Sequence, residues 1–349
     1  MYVPLLKNRT VEVSVLQQLN ELGIFGTRVF PLIELVQEKT RSNNKRTFLE
    51  ELGELLKSSP DTTLFLDFFK STKLRGTTDS IREYITQSVR QPDFCIQQLK
   101  LLEPFNRQVI PVISYLSENI AFDRIRYENR EYKALFGRVA FRIKVQEFDK
   151  VFDFLEPLIQ KNDFIIFDIE STSPVSPVLK KYYFRISSCR KKIGFQSIVV
   201  NAHRPAALSN KDMTDGEPIA DIDNSLRELY NASLMSKFNG FGDYACISAA
   251  LPTTGGTISP VGIYYSYENN FFVSYRARVG ALSEFPDYIA PNIVNSEYWK
   301  EYSDEHHRIC PGCHEIVDIL EGKKSGKNQA QWKMITMLHY IYTIYEMDP

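Results

Sequence analysis

The chain has 349 residues, with 42 Lys and Arg against 43 Asp and Glu and a formal net charge of −1. A balance this close to neutral gives no global attraction to nucleic acid or to an anionic membrane, and no apolar run approaches the ~18 residues of a membrane span. Five cysteines, an odd number in a large chain, do not form a disulfide framework. No basic, then apolar, leader opens the chain, so the cytoplasm is the expected compartment.

Short β-rich apolar runs recur along the chain: Tyr2–Lys7, Arg28–Glu34, Thr63–Phe69, Gln108–Ser114, Arg138–Lys144, Asp163–Glu170, Gln196–His203 and Asp243–Ala250. Several close on a charged or polar residue. Helical spacing follows the first in Val11, Val15, Leu16, Leu19 and Leu22, and Gly23 and Gly26 end that helix. Two helical stretches, 81–89 and 94–102, follow the third run and are separated by Pro92. The fifth and sixth runs lead into helices predicted over 147–160 and 175–189. Near-continuous apolar runs suit strands buried on both faces, and strand–helix alternation indicates a parallel sheet. An open doubly wound sheet has the same local pattern. Eight units without a second domain boundary favour one α/β domain over residues 1–349, a (β/α)8 TIM-like barrel.

After the eighth run the alternation stops, which predicts an insertion over 251–328. It contains Thr253–Thr257, a hairpin of VGIYYSY and FFVSYRARV joined at Glu268–Asn270, an aromatic segment and a His/Cys stretch. The helix over 329–345 then reads as the last barrel helix, delayed by the insertion. An acidic loop, 210–223, precedes a helix predicted over 224–237. It lacks the ligand series of an EF-hand, and reads as a solvated loop or as a lid over the barrel mouth.

A parallel barrel gathers its strand carboxyl ends at one mouth. The expected site is therefore Lys7, Glu34, Asp67, Arg142, Asp168, Glu170, Asn201, His203 and Arg204. Glu34, Asp67, Asp168 and Glu170 are the candidate catalytic residues, able to hold a divalent cation through oxygen or to divide acid and base roles. Lys7, Arg142, Asn201, His203 and Arg204 are candidate ligand-binding residues, Arg suiting phosphate or carboxylate by bidentate contact. Lys327 joins them because the start of the last helix should lie on the mouth side. Its Ser325-Gly326-Lys327-Asn328 setting lacks the full phosphate-loop pattern. The plainer alternative is interior ion pairing at strand ends.

A second constellation is His306, Cys310, Cys313 and His314. Cys-x-x-Cys flanked by histidines suits tetrahedral zinc. A redox pair is a second reading, and an inert turn leading into a helix over 315–320 is the plainest. His339, deep in an apolar helix, reads as a structural histidine. Cys95, Cys189 and Cys246 read as buried apolar residues.

Four stretches resemble the Beta protein family: MYVPLLKNRTVEVSVLQQL at the start, FPLIEL, FNGFGDYACIS followed by PVGIYYSY, and SGKNQAQWKMITMLHYI near the end. The resemblance implies a barrel-like fold and a role in phage defence or mobile-element conflict. Lys7, Glu34, Asp243, Trp332, Lys333 and His339 fall at recurring family positions, without assigned roles. The family's double-histidine ending is His339-Tyr340 here. The functional expectation is a mouth acting on a phosphorylated or nucleotide-like ligand, with a divalent metal or zinc as candidate cofactor. The alternative is a noncatalytic recognition subunit, its exposed hairpin aromatics binding a nuclease-like partner or a phage component. Nucleic-acid binding through Arg185, Arg190, Lys191 and Lys192 is a third expectation, weakened by the neutral net charge.

Overall fold

Eight strands rich in Val, Ile, Leu and Phe close into a parallel barrel in the computed structural model, which describes residues 1–38, 46–232, 235, 238–251 and 259–348. In chain order the elements are β1 (Tyr2–Lys7), α1 (Thr10–Glu21), β2 (Leu32–Leu35), α2 (Phe48–Ser58), β3 (Leu64–Phe68), α3 (Asp79–Arg90), α4 (Pro92–Lys100), β4 (Val109–Ile113), α5 (Phe122–Phe136), β5 (Ala140–Lys144), α6 (Phe148–Leu155), β6 (Phe164–Asp168), α7 (Pro177–Ile193) and β7 (Gln196–Val200). Then come β8 (Glu217–Pro218), α8 (Ser225–Asn231), β9 (Gly240–Asp243), β10 (Val261–Ser266), β11 (Phe271–Arg276), α9 (Ala290–Asn295), α10 (Asp304–Ile309), α11 (Pro311–Leu320) and α12 (Gln329–Met347). The barrel runs β1 to β7 and closes through β9 onto β1, every pair parallel.

Strand alternation decides which residues enter the barrel. Phe65 and Phe164 meet edge to face across the interior with ring centroids 5.2 Å apart. Two residues beyond Phe65 lies Asp67, and four beyond Phe164 lies Asp168, each on its strand's inward face. Apolar layers therefore fill the lower barrel, and charged side chains occupy the layer at the strand carboxyl ends.

The last barrel strand differs from its expected position. The apolar run at 243–250 begins where the strand ends, and the strand is Gly240-Phe241-Gly242-Asp243. Glycine is required by the closure: a Cβ on Gly242 would lie 2.2 Å from the carbonyl oxygen of Val3, and one on Gly240 2.7 Å from that of Met1. The seam where β9 meets β1 is thus too close for any side chain on that face, so no hydrophobic pattern marks it.

The insertion packs inward. β10 and β11 pair antiparallel, and β8 extends them to three strands, so the acidic loop, solvent-exposed over most of its length as expected, contributes a two-residue edge strand. Asp215 of that loop accepts from the Arg276 amide at 2.8 Å and the Tyr288 hydroxyl at 2.5 Å. The hairpin aromatics expected to be exposed are not: Tyr264, Tyr265, Phe272 and Tyr275 are buried. Tyr264, Tyr265 and Phe272 pack against α12, Tyr264 on His339 and the other two on Tyr340. Tyr267 and Phe271, at the hairpin end, are half-buried. Helix α11 begins at Pro311, so the Cys-Pro-Gly-Cys turn is a helix start and not a loop before one. Thr253–Thr257 lie outside the described residues.

Replacing Gly242 with alanine should force the β1–β9 seam apart. We expect a loss of about 3 kcal/mol or more, as for severe overpacking, read as a lowered urea midpoint. An unchanged midpoint would mean that the seam yields.

Candidate functional site at the barrel mouth

One guanidinium organises the mouth. Arg142, from β5, reaches the barrel axis and donates to Asp168 Oδ2 from Nε (2.9 Å) and Nη2 (2.7 Å). Its Nη1 donates to Glu34 Oε1 at 2.7 Å and Asp67 Oδ2 at 3.0 Å, and its Nη2 also reaches the Tyr244 hydroxyl at 2.9 Å. Carboxylates from β2, β3 and β6 thereby share one cation. Tyr244 donates to Glu34 Oε1 at 2.9 Å, and Lys7 Nζ lies 3.5 Å from Glu34 Oε2 and 4.6 Å from the centre of the Tyr244 ring.

These groups are buried, so their protonation follows from which force wins. Burial pushes the Glu34 carboxyl up, but Lys7 and Arg142 outweigh it and hold it below its usual range. For Asp67, burial prevails over Arg142 and the Ser114 hydroxyl, and its pKa is raised. Burial lowers the Lys7 ammonium despite Glu34 beside it. The interior thus holds three carboxylates against two cations, and Asp67 is the carboxyl that environment biases toward its proton.

Backbone conformation at the mouth is strained. Of the four non-glycine residues with positive φ among those described, three lie here: Glu170 (52°), Ala245 (46°) and Cys246 (66°). Each is held by surrounding bonds. Asp168 Oδ1 accepts from the Glu170 amide at 2.9 Å, and Asp243 Oδ1 accepts from the Ala245 amide at 2.8 Å. The Cys246 amide donates to His203 Nε2 at 2.9 Å. Tyr2 and Tyr340 also donate to Asp243, at 2.9 and 2.8 Å. The tight exit from β9 is what turns the Tyr244 ring onto Lys7 and its hydroxyl onto Arg142.

Above this floor opens a cavity of about 540 Å³ lined by Asp67, Arg142, Asp168, Glu170, Lys144 and Arg204, among others. Burial and the nearby Asp168 raise the Glu170 pKa, with Lys144 opposing at 3.7 Å. A second cavity of about 500 Å³ lies between β1 and α12, lined by Lys7, Glu12, Trp332 and Lys333, and it shares Arg204 and Ser248 with the first.

The structure separates the expected site residues into groups. Asp67, Arg142, Asp168, Glu170 and Arg204 meet at the first cavity, and Lys7 faces the second. Glu34 is fully buried and lines neither. Asn201 and His203 also line neither cavity. Asn201 donates to the Asp223 carbonyl, and burial lowers the His203 pKa, suiting the neutral ring that accepts from Cys246. Lys327 is exposed ahead of α12 and lines neither cavity; Lys333, further along that helix, pairs with Glu12 at 3.1 Å and faces the second. Each oxygen of Asp67 and of Asp168 accepts at least one hydrogen bond, from Arg142, Ser114 or the Glu170 amide.

Sequence reasoning missed Tyr244, Lys73 and Lys144. Lys144 closes its strand as Lys7 does, and that signal was present in the sequence. Nothing local distinguishes Tyr244 from a core aromatic.

In the insertion, His306, Cys310, Cys313 and His339 bring one donor atom each within 4.8 Å of one another, all four residues buried. His314, grouped with them by spacing, is not among them. It follows Cys313 on α11, its ring is exposed, and it lies 3.5 Å from Asp318. The fourth member, His339, comes from α12.

Fold and mouth together define a TIM-type (β/α)8 barrel with a buried arginine–carboxylate floor. The Beta protein family model matches residues 2–346, and the chain belongs to that family. No curated protein matches it. Among solved structures, a family 18 chitinase from Crocus vernus aligns with a TM-score of 0.37 and 9% identity, over 69% of this chain and 91% of the chitinase. The spore cortex-lytic enzyme SleL of Bacillus cereus aligns with a TM-score of 0.35 and 7% identity, over 97% of this chain and 74% of SleL. Likenesses this remote carry no argument about chemistry. Among the described residues no helix is long and apolar enough to cross a membrane.

Arg142→Leu should cost about 3–5 kcal/mol at pH 7, because it leaves three carboxylates buried without their cation. Asp67→Asn should cost under about 1 kcal/mol there, since it removes a carboxyl whose ionised form burial disfavours. Equal losses in urea titrations of the two variants would contradict this ranking. The Glu34 pKa is depressed on folding, so its stabilisation is present above the unfolded value of about 4.3 and is lost as pH falls through the folded value. The stability gap between wild type and Glu34→Gln should therefore narrow on acidification below about pH 4, measured by denaturation at a series of pH values.

Proposed function

We propose that the mouth binds a phosphorylated or nucleotide-like ligand, with Glu170 placed to move a proton during its conversion. The carrying observation is a mismatch between floor and rim. Arg142 already engages the floor carboxylates, while Lys73 is exposed at the rim and Lys144 is only loosely paired, 3.7 Å from Glu170. What the cavity offers a ligand is therefore largely cationic, and such a rim attracts anions.

Glu170 is the carboxyl at this cavity that Arg142 does not hold. Its pKa is raised and its backbone is strained into the left-handed region, features that accompany acid–base roles. Glu34 supports the site indirectly, by fixing Arg142 and Tyr244 from below. This reading uses no divalent ion: Arg142 holds one oxygen of each floor carboxylate. The setting of this chemistry in phage defence is carried over from the family resemblance read in the sequence.

ADP and inorganic pyrophosphate are suitable probes. In calorimetry at low salt, both should bind wild type, with affinity falling as salt rises. Lys73→Gln/Lys144→Gln should weaken ADP binding about tenfold or more, equivalent to about 1.4 kcal/mol. Glu170→Gln should retain binding. Wild-type affinity that is absent, or unchanged in the double variant, would refute the proposal. In a phage-plating assay, any protection given by wild type should be lost with the double variant.

A further inference from the structure

The second cluster has the donors, the orientation and the enclosure of a closed metal centre. Cys310 lies at the start of α11 and Cys313 in its first turn. His306 comes from α10 and His339 from the middle of α12. His339 Nδ1 is 3.6 Å from Cys310 Sγ and 3.5 Å from Cys313 Sγ. With Zn–S about 2.3 Å and Zn–N about 2.0 Å, a tetrahedral centre places sulfur and nitrogen ligands about 3.5 Å apart.

Both imidazoles are oriented from outside the cluster. His339 Nε2 lies 3.1 Å from the Tyr265 carbonyl, which fixes the proton there and leaves Nδ1 as a lone-pair donor toward the thiols. His306 Nδ1 lies 2.5 Å from Glu346 Oε2, and its other nitrogen, Nε2, is buried without a hydrogen-bond partner. A buried unpartnered nitrogen is costly unless something binds it. Outer carbonyl and carboxylate contacts of this kind accompany metal-ligating histidines.

The backbone is shaped to the same end. A Cβ on Gly312 would lie 2.6 Å from the His339 amide nitrogen and 2.7 Å from the Ile335 carbonyl oxygen. Glycine between the two cysteines therefore lets the start of α11 press against α12, and that approach brings Cys310 and Cys313 to His339. Tyr264 stacks on the His339 ring at 4.0 Å, closing one side.

We infer that His306, Cys310, Cys313 and His339 bind one zinc ion in a tetrahedral Cys2His2 site that clamps the insertion to the last barrel helix. Two thiolates with two imidazoles select zinc over harder cations. Four protein donors, all buried, leave no open position for water or substrate, so the ion is structural and not catalytic. The site is independent of the mouth chemistry proposed above.

The full-length protein, purified under reducing conditions without chelator, should carry about one zinc per chain by plasma mass spectrometry. Exchange for cobalt should give the visible bands of a tetrahedral thiolate–imidazole site. Cys310→Ser and His339→Ala should lose the metal, while His314→Ala should keep it. Because either cluster variant could fail to fold, the cobalt spectrum of the wild type tests the geometry by itself. Chelation should lower the melting temperature of wild type and restore it on adding zinc. Wild type that is metal-free, with no cobalt bands and a melting temperature indifferent to zinc, would overturn the inference. So would a Cys310–Cys313 disulfide in the intact mass of freshly isolated protein, or loss of zinc from His314→Ala.

Discussion

A buried guanidinium among carboxylates is the constraint on which the mouth depends. Arg142 is the common partner of Glu34, Asp67 and Asp168, which arrive on three different strands. Burying these groups together is tolerated because Arg142, joined by Lys7 at Glu34, offsets the carboxylates, and they offset it in turn. The pairing fixes the strand ends and Tyr244 with respect to one another. It also leaves Glu170 as the carboxyl lining the first cavity that Arg142 does not hold.

The last helix connects that floor to the rest of the molecule. Along α12, Lys333 faces the second cavity and Tyr340 bonds Asp243 at the β9 exit, while His339 turns the opposite way into the Cys/His cluster. Adjacent residues on a helix point about 100° apart, so the consecutive residues His339 and Tyr340 join two centres across a single peptide unit. The inserted hairpin lies in the same system, giving its Tyr265 carbonyl to His339 and setting its Tyr265 ring edge to face with Tyr340. An insertion that interrupts the sequence pattern has become part of the barrel's packing.

Much of the fold was legible in the sequence, and the failures have physical causes. Six strands stand within the runs read from their apolar residues and β2 passes the end of its run by one residue, Leu35, because a strand buried on both faces is mostly apolar. β9 was displaced because its seam with β1 admits glycine where a side chain would collide. The hairpin was read as a surface because Tyr and Phe suit interfaces as well as cores, and no local feature says which. Spacing assigned His314 to the metal cluster because it adjoins Cys313. The structure places His339 there instead, from 26 residues beyond Cys313, a distance in sequence that no local ligand pattern bridges.

The sequence alone determined the strand–helix alternation of a parallel α/β fold, the identity of the strand-end charges and the presence of an interruption after the eighth unit. These follow from periodicity and strand alternation, which are properties of neighbouring residues. The tertiary structure decided which charges neutralise one another, which side chains face open space, and which histidine completes the cluster. Those outcomes depend on distances between segments far apart in sequence, set when the barrel closes and α12 packs against the insertion.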